Sequence, residues 1–109
     1  MLNSNELISL IKDYNPNCDE DLICRAYEYG KNFHDGQFRV SGEKYFNHPL
    51  EVAKILIRQK LDDATIATAI LHDTVEDTNL SINEVKNNFG NDIALLVDGV
   101  TKLTNLKVL

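Results

Sequence analysis

The chain has no tryptophan, one methionine, two prolines and two cysteines in 109 residues. Two prolines leave long stretches free of the residue that most strongly breaks helices. Cys18 and Cys24 stand six apart, a spacing that fits neither a zinc knuckle nor a CxxC redox pair. They read as reduced thiols of a cytoplasmic protein. Cations are also scarce: eleven Lys and Arg face seventeen Asp and Glu, a net charge of −6. That balance argues against a nucleic-acid partner, whose phosphates are gripped mainly by basic side chains. The longest apolar run, residues 93–97, is five residues, against the roughly 20 that a membrane-spanning helix needs. Nor does the N-terminus carry the basic n-region of a signal peptide, since its first Lys is at position 12. The expectation is a cytoplasmic chain without nucleic-acid or membrane partners.

Hydrophobic residues make up 43% of the sequence, ordinary for a globular chain. At this length one core can form but not two, so residues 1–109 read as a single domain. The charge is uneven. Residues 1–61 carry eight basic and nine acidic groups, whereas residues 62–109 carry three and eight. Something in the second half tolerates or needs carboxylates.

The hydrophobic pattern is helical almost throughout. After Ser4, the residues Leu7, Ile8, Leu10 and Ile11 make a short apolar stripe that Asn15-Pro16 ends. From Asp19 to about Phe33, Leu22, Ile23, Ala26, Tyr27, Gly30 and Phe33 recur at three-and-four spacing. Residues 34–44 break that pattern with Gly36 and Gly42 and predict a polar loop, in which only 38–46 could hold a short strand. Pro49 suits the first turn of a third helix, with Asn47 or His48 as its cap and Val52, Ala53, Leu56 and Ile57 inward. Asp62 and Asp63 cap a fourth, in which Ile66, Ala67, Ile70 and Leu71 face the core. Ser81 and Glu84 form a capping box, Phe89-Gly90 closes that stretch, and Asn91 or Asp92 starts a last helix with Ile93, Leu96, Val97 and Val100 in register. The fold class is all-α, with consecutive helices packed as neighbours.

The chemistry concentrates in His72-Asp73-Thr74-Val75-Glu76-Asp77-Thr78. On a helix His72 and Glu76 share one face, as do Asp73 and Asp77, and His72 and Asp73 can both reach an ion lodged beside the helix. One imidazole and one carboxylate do not complete a metal site. A third ligand must come from elsewhere, and His34 and His48 are the remaining histidines. Asp98 is a further carboxylate on the last helix.

Three blocks carry a family resemblance: Arg39-Val40-Ser41-Gly42-Glu43-Lys44-Tyr45-Phe46-Asn47-His48-Pro49, then Ala69-Ile70-Leu71-His72-Asp73-Thr74-Val75-Glu76-Asp77-Thr78, then Phe89-Gly90 through Leu96-Val97-Asp98-Gly99-Val100-Thr101-Lys102-Leu103. Together, over residues 24 to 103, they resemble the HD superfamily of metal-dependent phosphohydrolases. The likeness is closest to the hydrolase domain of the Rel/Spo enzymes, which remove the 3′-pyrophosphate from guanosine tetra- and pentaphosphate. The resemblance implies an HD-type helical bundle with His48, His72 and Asp73 as ligands of a manganese ion. It implies that Glu76 and Asp77 activate the attacking water, and that Arg39 and Ser41 contact the guanine nucleotide. It gives Asp98 and His34 no metal role, and His34 is expected to be structural or solvent-facing.

Val40 stands where that family usually has Lys, and Lys44 where Pro is common. A further Asp ligand of the family comes from a helix downstream of the Val100-Thr101-Lys102-Leu103 block, whereas this sequence ends at Val108-Leu109. The expectation is therefore a bundle lacking the family's last helices, with weak metal affinity and little hydrolysis in isolation. Self-association, or complementation by a C-terminal segment, is expected with it. The alternatives are an inactive fragment that binds nucleotide or a protein partner, and an HD phosphohydrolase of another nucleotide.

Overall fold

Asn3 opens the first helix: its side chain accepts the Glu6 N–H while Glu6 reaches back to the Asn3 N–H, a complete capping box. The computed structural model describes residues 1–106, so Val108-Leu109 lies outside the described residues. Six helices follow in order: α1 (Ser4–Lys12), α2 (Glu20–Phe33), α3 (Asn47–Arg58), α4 (Asp63–Asp77), α5 (Ile82–Phe89) and α6 (Asn91–Leu106). Among the described residues the only β pairing outside them is a single antiparallel bridge, Phe38 to Lys44. The fold is all-α, as the periodicity predicts.

α4 is the central element. It packs against α2, α3 and α6, while α1 rests on α2 and α5 on α6. Its sequence explains the placement, since Ile66, Ala67, Ile70 and Leu71 are all fully buried. Buried in the same core cluster are Ile23 and Ala26 of α2, Ala53 of α3 and Val97 of α6. α2 and α4 approach closely at Gly30. A Cβ there would stand 2.5 Å from Phe46 Cε1 and 3.2 Å from Ile70 Cγ2, so the crossing requires a residue without a side chain.

The helix ends follow the caps read from sequence in most cases. Asp19, Asp62 and Ser81 each accept an N–H of their own first turn, and Gly90 ends α5 at φ 94°. α3 departs from expectation. Neither Asn47 nor His48 is the cap; Phe46 occupies that position and offers no side-chain acceptor. The reason is a preceding tight turn. The Lys44 carbonyl takes the Asn47 N–H at 3.1 Å and the Tyr45 carbonyl takes the His48 N–H at 2.9 Å, so no cap is needed. His48 is thereby left free for other work.

Three apolar assignments are corrected. Leu10 on α1 is exposed, and on α6 the buried face is Ile93, Ala94 and Val97, with Leu96 and Val100 turned outward. On α3, Val52, Leu56 and Ile57 are half-buried and the covered residues are Pro49, Leu50 and Ala53. Val52, Leu56 and Val100 are open because they wall a cavity described below. Cys18 and Cys24 are both free thiols. No helix among the described residues is long and apolar enough to cross a membrane.

Candidate metal centre

His72 and Asp73 follow directly on the buried pair Ile70-Leu71, so α4 carries them to the edge of the core rather than to open solvent. Their side chains are 15% and 14% exposed. On the neighbouring helix, His48 is the second residue of α3, and its Nε2 lies 3.7 Å from Asp73 Oδ2. One turn further along α4, Glu76 Oε2 is 3.3 Å from His72 Nε2. His48, His72 and Asp73 line one cavity of about 400 Å³, walled otherwise by Val52, Leu56, Thr65, Thr68, Ala69 and Val100. The structure thus brings the three sequence-predicted ligands together from two helices. It also gathers a second, overlapping set, since ligand atoms of His72, Asp73 and Glu76 all lie within 4.8 Å of one another.

The donor chemistry asks for a cation. Thr101 of α6 donates its hydroxyl proton to the Val97 carbonyl at 2.9 Å, so toward His72 Nδ1, 3.4 Å away, it can only accept. That arrangement puts the ring proton on Nδ1 and leaves the lone pair on Nε2, facing a carboxylate oxygen. Two electron-rich atoms at 3.3 Å repel unless a proton or a metal ion sits with them. Among the described residues no Lys or Arg pairs with Asp73, Glu76 or Asp77. Burial pushes the Asp73 carboxyl above its ordinary value, an effect that His48 and His72 oppose and Asp77 reinforces. A divalent ion would relieve all of this at once, and two imidazoles with a carboxylate suit manganese or iron.

Asp77 ends α4 close enough to Asp73 to help raise that carboxyl, and it is also held by residues 34–45. Its Oδ2 accepts the Tyr45 hydroxyl at 2.8 Å, and its main-chain carbonyl accepts Gln37 Nε2 at 2.9 Å. The segment read as a polar loop with room for a short strand over 38–46 is a small hairpin around one bridge. Tyr45 N–H donates to the Gln37 carbonyl and Arg39 N–H to the Glu43 carbonyl, with Gly42 at φ 95° completing the turn. Arg39 is placed on this hairpin with its guanidinium shared between Glu43, at 2.8 Å, and Glu51 of α3, at 3.4 Å. Ser41 is exposed at the tip beside Val40, and neither it nor Arg39 hydrogen-bonds to the ligand set.

His34, expected to be structural or solvent-facing, is buried; it hydrogen-bonds Gln37 and lies near enough to Asp73 to help lower that carboxyl. Asp98 is occupied by Lys102 at 2.9 Å. Sequence reasoning missed Thr101, Gln37 and Tyr45. The signal for the last two was available in the alternation of Gln37-Phe38-Arg39 and Glu43-Lys44-Tyr45 around Gly42, a hairpin pattern.

Comparison with known proteins places these residues in context. The HD domain family matches residues 26–109. A protein named GTP pyrophosphokinase rsh from Brucella ovis is 47% identical over 106 residues, covering 97% of this chain and 14% of the relative. The GTP pyrophosphokinase of Myxococcus xanthus is 52% identical over 94 residues, 86% of this chain and 12% of its own length. That of Streptomyces coelicolor is 40% identical over 104 residues, 93% and 12% respectively. The chain therefore spans about one seventh or less of the curated relatives it matches.

Proposed function

The chain belongs to the HD domain family, and from that premise we propose that it hydrolyses guanosine 3′-pyrophosphate nucleotides in a metal-dependent reaction. The observation that carries this reading is the convergence of His48 from α3 with His72 and Asp73 from α4 on one cavity. Manganese is the proposed ion, held by those three side chains. When bound it supplies Lewis acidity toward a phosphate oxygen and lowers the pKa of water.

The residues around that set divide the remaining tasks. Glu76, one turn beyond His72, is the proposed acceptor of the water proton, and Asp77 is its neighbour in that role. Thr101 holds the His72 ring in the tautomer whose free nitrogen faces the site, as a hydrogen bond to the other ring nitrogen does in metal centres generally. Arg39 and Ser41 are proposed to meet the nucleotide. With two carboxylates already on its guanidinium, Arg39 is better suited to stack its plane on a base than to neutralise a phosphate. The names of the relatives, GTP pyrophosphokinases, support a guanine nucleotide as the substrate class.

A second reading, an HD phosphohydrolase of another nucleotide, is favoured by Val40. It is fully exposed on the hairpin and offers no charge to a phosphate. Incubating the chain with manganese and guanosine tetraphosphate tests the first reading: slow release of pyrophosphate, with GDP as the other product, is the expected result. Release of phosphate or pyrophosphate only from other nucleotides in a panel selects the second, and no release from any nucleotide rejects both.

A further inference from the structure

The hairpin after α2 carries two residues to which the metal-dependent reading gives no task. Gln37 and Tyr45 are cross-strand partners, joined by the Tyr45 N–H to Gln37 carbonyl bond of 2.9 Å. Directly opposed residues in such a pair project from the same face. Both reach the last residue of α4. Gln37 Nε2 holds the Asp77 carbonyl at 2.9 Å, and the Tyr45 hydroxyl holds Asp77 Oδ2 at 2.8 Å. One residue is gripped at its backbone and at its carboxylate by two side chains that are themselves tied together.

Neither grip is free to swing. The Gln37 amide nitrogen is committed to Asp77, so its oxygen faces His34 and takes the proton of Nδ1 at 2.9 Å. The Tyr45 ring lies against the same imidazole, with centroids 5.1 Å apart. His34 is 2% exposed, and its buried Nε2 has no hydrogen-bond partner among the described residues. A buried polar atom without a partner is costly, and a chain that keeps one has another use for the ring. Here the ring is the platform on which both grips rest.

Helix capping accounts for half of the arrangement. A donor on the last carbonyl is what any helix end needs. A phenol on the carboxylate of the same residue serves no helix, and without it Asp77 would turn freely at the surface. Building on the water-activating role proposed above, we propose that Tyr45 and Gln37 are positioning residues that lock the Asp77 carboxylate in one orientation, with Oδ2 occupied and Oδ1 left for the reaction. Tyr45 is a durable donor for this purpose: burial and the adjoining Asp77 carboxylate push its ionisation up to about 12.

Tyr45→Phe keeps the ring on His34 and removes only the hydroxyl, so it separates positioning from packing. Assayed on the 109-residue chain with manganese and guanosine tetraphosphate, it is expected to lower kcat by about ten- to a hundredfold, the scale of a small misplacement of a reacting group. KM and manganese affinity are expected to stay close to the parent, and the melting temperature to fall by only the few degrees that loss of one hydrogen bond brings. In an Asp77→Asn background the same change is expected to add little. An unchanged kcat, or a kcat loss explained by a lower melting temperature, overturns the proposal. Should the parent itself release no pyrophosphate, the hydrolytic reading fails separately, and melts of Tyr45→Phe, Asp77→Asn and the double variant then judge the lock. Losses that fail to add support it, because the two groups share one interaction, and strictly additive losses overturn it.

Discussion

His48 Nε2 lies 3.7 Å from Asp73 Oδ2, a contact that joins the start of α3 to α4. The proposed set of two imidazoles and a carboxylate needs both helices, because α4 supplies one imidazole and α3 the other. The pair therefore makes the site depend on how the two helices cross. It also gives the first expected outcome. His48→Ala and Asp73→Ala should each weaken manganese binding in calorimetric titration by about tenfold or more, at least the loss seen when only a supporting partner of a ligand is removed. Each should also shrink the rise in melting temperature that manganese confers on the parent.

Glu76 separates two overlapping ligand sets. If His48 completes the site, Glu76→Gln should leave manganese affinity near the parental value while turnover falls about a hundredfold or more, as for a lost general base. If Glu76 is instead a ligand with His72 and Asp73, the affinity of Glu76→Gln will fall as far as that of Asp73→Ala, while His48→Ala keeps the parental value.

Asp62 links stability to pH. Its carboxylate accepts the Thr65 N–H at 2.9 Å, and bonding to Thr65 holds its ionisation below the ordinary Asp value. The folded value lies under the unfolded one, so the stabilisation is complete above the usual carboxylate range and lost as pH falls through it. Asp62→Ala should cost about 1 kcal/mol at neutral pH. Urea unfolding repeated near about pH 3 should show the two proteins drawing together.

Gly30→Ala should destabilise the domain despite the better helix propensity of alanine. The new methyl group would meet Phe46, which is buried and fixed edge-on against Tyr27 at 5.2 Å between centroids. Overpacking of this kind costs about 1–3 kcal/mol, against a propensity gain of about 1 kcal/mol. A net fall in melting temperature is expected, and a rise would show that Phe46 yields without strain.

The helices were legible in the sequence because each buries a stripe against a neighbour, and the stripe is a local property. α4 shows this best, with Ile66, Ala67, Ile70 and Leu71 all buried as read. The His72-Asp73 pair was legible from the density of ligating side chains in residues 72–78, whereas the choice of His48 as its complement came from the family resemblance. Exposure at Leu96 and Val100 was not, because the width of the buried face on α6 depends on what packs against it. The freedom of His48 was hidden as well, since it follows from the turn at Lys44 and Tyr45 that makes a cap unnecessary. Gln37 and Tyr45 find Asp77 across 40 and 32 residues of chain, and no local pattern encodes a partner at that range.

α4 has one more consequence. It touches three other helices, and its two proposed metal ligands come immediately after fully buried Ile70 and Leu71. In folded chains the edges open at little free-energy cost, whereas the most enclosed segments open only with the whole domain. Amide protons of Ile70 through Asp73 should therefore exchange with solvent deuterium at the rate of global unfolding. An ion seated there would leave from an intact cradle, so its residence time would be governed by its own bonds and not by breathing of the backbone beneath it.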